Sequence, residues 1–88
     1  MKQNAENMGF MMRDLTQYIM MPHARYRRDI GTYVSYDIAA YNGLFCEITE
    51  VVPDVTTDRD LALRMCERFN RIQLAPTHMR EAILDMLE

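Results

Sequence analysis

His78 stands two residues after Pro76 and directly before the run Met79-Arg80-Glu81-Ala82-Ile83. A histidine at the first turn of a helix loses proton affinity to the positive end of the helix dipole, and its neutral ring then suits hydrogen bonding or base work. Base catalysis needs a nucleophile or a second group held beside the ring. Ser35, Cys46 and Cys66 stand in no motif such as a nucleophile elbow. His78 is therefore read as a capping or packing residue first and as a polar site second, and the chain as a whole reads as a non-enzyme.

Metal chemistry finds little purchase. Two Cys and two His could supply four zinc ligands, but His23, Cys46, Cys66 and His78 show none of the close pairs that structural zinc sites use. Asp54, Asp58 and Asp60 open like a calcium loop, yet the turn glycine is replaced by Arg59 and the closing Glu by Met65. These acids are better matched to the N-terminus of a helix, where negative charge meets the dipole favourably. No cofactor is implied. Cys46 and Cys66 fall on apolar faces of a strand and a helix, which makes both of them core thiols rather than nucleophiles.

Two binding surfaces can be drawn from the sequence. The run His23-Ala24-Arg25-Tyr26-Arg27-Arg28 is the one basic cluster, and arginines with an interleaved tyrosine can pair phosphates and stack on bases. The other is apolar. Met8, Met11, Met12, Met20 and Met21 crowd the first 21 residues, and clustered methionine makes adaptable apolar surface. Residues 1–12 are read as an arm able to wrap a neighbour, ahead of a single domain at 13–88.

The elements that must position these groups follow from hydrophobic periodicity. Val34, Tyr36, Ile38 and Ala40 alternate with Tyr33, Ser35, Asp37 and Ala39, the two-residue period of a half-buried strand. Asn42-Gly43 signals a turn, and Leu44, Cys46 and Ile48 continue the even-numbered core face to Val52. Directly opposed residues share a face, so the pattern predicts Ile38 opposite Ile48, Ala40 opposite Cys46 and Asp37 opposite Thr49, with an odd-length loop or a bulge near Gly43. Leu15 to Met21 is a candidate third strand. Pro53 is expected to stop the second.

Thr57 and Asp60 make a capping-box-like helix start. Leu61, Ala62, Met65, Cys66, Phe69 and Ile72 then form one apolar stripe, with Arg64, Glu67, Arg68 and Arg71 outside it. Leu74-Ala75-Pro76 ends that helix, and Pro76 suits the first position of the next, where a missing N–H costs nothing. Met79, Ala82, Ile83, Met86 and Leu87 give its stripe. Leu63 and Leu84 fall off both stripes and join Met11, Met12, Met20 and Met21 as candidate partner contacts. The reading is an α+β domain: a two- or three-stranded antiparallel meander with two C-terminal helices packed on one face, and Ile38 and Phe69 at its centre.

Tyr36-Asp37-Ile38, Val55-Thr56-Thr57-Asp58-Arg59 and Asn70-Arg71-Ile72-Gln73-Leu74-Ala75-Pro76-Thr77-His78, with the final Ile83-Leu84-Asp85-Met86-Leu87, resemble a family of short uncharacterised Firmicute proteins, a domain of unknown function. The resemblance spans Tyr36 to Leu87. It implies a small sheet followed by two helices and carries no activity. The family often has Gly where this chain has Asp37 and Ser where it has Ala75, and the second departure removes a capping hydroxyl worth about 0.5–2 kcal/mol.

Ten Lys+Arg against thirteen Asp+Glu give a net charge of -3, no advertisement for nucleic acid or an anionic membrane. Charge is uneven: residues 1–31 carry five basic and three acidic groups, residues 32–88 five and ten. No apolar run approaches the roughly 18 residues of a span, and the N-terminus lacks a signal-peptide core. A cytoplasmic protein with reduced thiols is expected. A chain of 88 residues has a marginal core, which favours association with itself. The expected function is a small non-catalytic protein-interaction or regulatory module acting on a protein partner or as a homodimer. The alternative is a nucleic-acid accessory factor using Arg25, Tyr26, Arg27 and Arg28.

Overall fold

The computed structural model describes residues 15–88. Three strands run β1 (Thr16–Arg27), β2 (Gly31–Asn42) and β3 (Glu47–Thr56), followed by α1 (Arg59–Ile72), a 3-10 turn (Pro76–His78) and α2 (Met79–Leu87). The sheet is an antiparallel meander in the order β1-β2-β3, and both helices contact it. The α+β architecture is that expected from the alternation and the two helical stripes. The candidate third strand is present and runs beyond Met21 to Arg27, so His23 to Arg27 of the basic cluster lie on a strand and Arg28 in the turn that follows.

β1 and β2 pair in one unbroken register from Thr16↔Asn42 to Arg27↔Gly31. Their connection closes with Ile30 N–H donating to Arg27 C=O at 3.2 Å, and Gly31 follows at φ 81°, a conformation that L side chains resist. The β2–β3 connection differs from expectation. In place of an odd-length loop or a bulge near Gly43, the loop has four residues, Gly43 to Cys46, the bulge falls further along β3, and the Asn42 carboxamide accepts from Leu44 N–H at 2.8 Å and Phe45 N–H at 3.3 Å. An Asn side chain that caps a loop in this way replaces the tight-turn geometry its dipeptide suggests.

The pairing of β3 is displaced accordingly. Ile38 faces Val52 and Ala40 faces Glu50, not Ile48 and Cys46, and a register shift between Ala40 and Tyr41 leaves Thr49 as the extra residue. A four-residue loop plus a bulge packs Val52 against the core and leaves Leu44, Cys46 and Ile48 exposed. Cys46 is thus not a core thiol. Nor does Pro53 end the strand: it occupies an edge, where a ladder donor is not required, and pairing resumes with Tyr36↔Thr56.

α1 starts one residue later than Thr57, on Asp58, whose carboxylate accepts from Leu61 N–H at 3.2 Å. Ala62, Met65, Cys66 and Phe69 are buried against the sheet, whereas Ile72 and Leu87, assigned to the stripes, are exposed in the last turns of their helices. Tyr18, Ile38, Ala40, Met79 and Ile83 complete the core, with Tyr18 and Phe69 edge to face at 5.5 Å. Ile38 and Phe69 are both fully enclosed. Met20, Tyr36, Val52 and Val55 pack around this cluster, but none of residues 21–35 joins it. The distal half of the β1–β2 hairpin therefore lies beyond the core.

Candidate functional site

The distal hairpin has two unlike faces. Alternation puts His23 and Arg25 of β1 on the same side as Ser35 and Asp37 of β2. The Asp37 side chain is 8% exposed, and one of its oxygens, Oδ1, accepts from Arg25 Nη2 at 2.8 Å and from Asp54 N–H at 2.8 Å. Its other oxygen faces His23 Nδ1 at 3.4 Å. Arg25 Nε donates to the buried Ser35 Oγ at 2.9 Å and lies 3.8 Å from Asp54 Oδ1. Burial alone raises the Asp37 pKa, but the Asp54 N–H and the Arg25 guanidinium outweigh it and hold the carboxyl below its ordinary value.

That network joins all three strands. Asp54 sits at φ 52°, and this left-handed turn aims its N–H at Asp37 across the register shift between Tyr36 and Ile38. Arg25 is therefore committed to its own sheet. Arg27 Nε lies 3.4 Å from Asp29, with both side chains exposed, and Arg28 stands in the turn. Tyr26 is on the opposite face and 72% exposed. Consecutive residues of the basic cluster thus point to two sides of one strand, which its sequence spacing conceals.

The other face of the hairpin is apolar. Pro22, Ala24, Tyr26 and Val34 share it, with Ile30 in the turn, and Ile30 and Val34 are 59% and 48% exposed. Leu63 and Leu84 are exposed on different helices, and Met20 and Met21 are half-buried on opposite faces of β1, so these candidate contacts do not form one patch. Met11, Met12 and the arm at 1–12 lie outside the described residues. His78 is exposed and makes no capping hydrogen bond, which removes the capping role expected of it.

No group of three or more His, Cys, Asp or Glu among the described residues is arranged to hold a metal ion. Asp58 and Asp60 serve the start of α1. The outer edge of β1 carries a feature with no mark in the sequence. Asn70 of α1 accepts from Tyr18 N–H at 2.7 Å and donates to Tyr18 C=O at 3.1 Å, as a neighbouring strand would. Tyr18 O–H donates to Leu74 C=O, and burial pushes its pKa up to about 12. α1 thereby closes the edge at Tyr18. Sequence periodicity cannot announce such a bond, because Asn70 lies off the apolar stripe and its partner is a backbone group 52 residues away.

No family model, curated protein or solved structure matches this chain. Among the described residues, no helix is long and apolar enough to cross a membrane.

Proposed function

We propose that the chain is a small, non-catalytic protein-interaction module that associates with itself. The observation supporting this reading is the apolar face of the β1–β2 hairpin, where Tyr26, Ile30 and Val34 are exposed outside the core. Three large apolar side chains clustered at one end of a small domain are the pattern of a contact surface rather than of scattered exposure. The unpaired thiols of Cys46 and Cys66 fit a reducing, cytoplasmic setting.

The nucleic-acid reading draws less from the geometry, since Arg25 is held by Asp37 and Ser35 and Arg27 faces Asp29. Sedimentation velocity from micromolar to millimolar concentration, at low and high salt, tests the proposal. A dimer that persists in high salt is the expected result. A monomer at every concentration overturns it, and salt-sensitive binding to DNA or RNA that is lost in Arg27→Ala or Arg28→Ala favours the alternative.

A further inference from the structure

Resting on that self-association, we infer that two copies of the chain join edge to edge along β1, in one register, with a two-fold axis beside His23. Hydrogen-bond direction carries the argument. Tyr18 turns its N–H and C=O away from β2 toward Asn70, and the β1–β2 register is unbroken. The backbone groups of Met20, Pro22, Ala24 and Tyr26 therefore point outward as well. Tyr18 is closed by α1, Pro22 has no N–H, and the outward donors beyond Tyr18 are Met20, Ala24 and Tyr26.

An isologous antiparallel pair must match this donor pattern to itself. Centring on Pro22 sets two prolines face to face without a donor and asks Tyr18, already bonded to Asn70, to pair with Tyr26. Centring on Ala24 leaves Met20 opposite Arg28, which lies in the turn. Centring on His23 uses all three of the donors beyond Tyr18. Met20 N–H meets the carbonyl of the partner's Tyr26, Tyr26 N–H that of the partner's Met20, and Ala24 N–H that of the partner's Pro22, each bond made twice by symmetry. The pairing ends at Met20, one step short of the residue that Asn70 closes.

Side chains agree with this register. On the helix-bearing face, the exposed Tyr26 ring comes to lie beside the partner's half-buried Met20. On the other face Met21 lies beside the partner's Arg25, whose charge is already matched by Asp37. The outer edge of β3 offers no equivalent, being broken by two register shifts and Pro53. Among the described residues nothing but Asn70 bonds the outer edge of β1 from Tyr18 to Tyr26, and a regular edge strand left uncovered is a hazard that proteins manage. Here a second copy covers it, giving one continuous sheet across the dimer.

The test is register-specific cross-linking of the full-length chain in a Cys46→Ser background. Non-hydrogen-bonded antiparallel partners have Cα atoms about 4.5 Å apart, within disulfide reach, so His23→Cys should oxidise to a covalent dimer. Ala24→Cys should not, because Ala24 lies opposite the partner's Pro22 and its own symmetry mate is beyond the limit of about 7 Å. Ala24→Pro removes an outward donor without touching the β2 ladder, and should weaken the dimer about tenfold or more while leaving the monomer's circular dichroism intact. Dimers that persist while Ala24→Cys links and His23→Cys does not, or that survive Ala24→Pro, overturn this register and leave self-association standing. A chain that never dimerises overturns both.

Discussion

Replacing Asp37 separates its charge from its shape. Both short contacts of the carboxylate, from Arg25 Nη2 and Asp54 N–H, end on Oδ1 at 2.8 Å, and the second oxygen faces His23 at 3.4 Å. In Asp37→Asn the amide oxygen can take the place of Oδ1, so both donors keep an acceptor and only the charge is lost. The expected cost is about 1–2 kcal/mol, the difference between a charged and a neutral hydrogen bond. Asp37→Ala strands the Arg25 guanidinium and the Asp54 N–H, and should cost about 3–5 kcal/mol.

The assay is urea unfolding followed by circular dichroism, repeated across pH. Because the Asp54 N–H and the Arg25 guanidinium hold the folded-state pKa of Asp37 below its unfolded value, its contribution is complete above the unfolded pKa and disappears as pH falls through the folded value. The stability gap between wild type and Asp37→Asn should hold steady near neutrality and close below about pH 4. Equal costs for the Asn and Ala variants, or a gap that does not change in acid, would refute the account of Oδ1 as a charged acceptor shared by two strands.

Three further outcomes follow from the same geometry. Asn70→Ala should destabilise by about 1–3 kcal/mol and speed amide exchange at Tyr18, because the outward N–H loses the acceptor that Asn70 gives it; exchange unchanged at Tyr18 speaks against edge capping. Phe69→Ala should cost about 3–5 kcal/mol, a large share of the stability of so small a domain, and a melting temperature like that of wild type would remove Phe69 from the core. In the native state a maleimide at pH 7 should label Cys46 rapidly and Cys66 only after unfolding, since burial encloses Cys66 and pushes its thiol to about 11; equal labelling rates would contradict the packing of α1.

The readable parts of the chain were those in which one face meets the core. Val34 to Ala40 and the α1 stripe carry their periods openly, and Ile38 and Phe69 are buried as the patterns require. The β3 register was not readable, because Leu44, Cys46 and Ile48 continue the alternation while the Asn42 carboxamide opens a wider loop. Asp37 did leave a trace: an acid inside an apolar strand must find donors if it is buried. Naming those donors required the partners of β2, and one of them is a backbone N–H created by a left-handed residue.

By itself the sequence determined the class of architecture, the apolar stripes of β2 and α1 and the centre of the core, since these depend on local periodicity and on excluding water from apolar side chains. Tertiary structure alone decided which arginines pair with the chain's own acids, which cysteine is exposed and which point of the β1 edge α1 closes. Those outcomes depend on bonds between residues far apart in sequence, such as Asn70 with Tyr18 and Asp54 with Asp37. A hydrogen bond is set by direction and distance in space, and neither is a property of spacing along the chain.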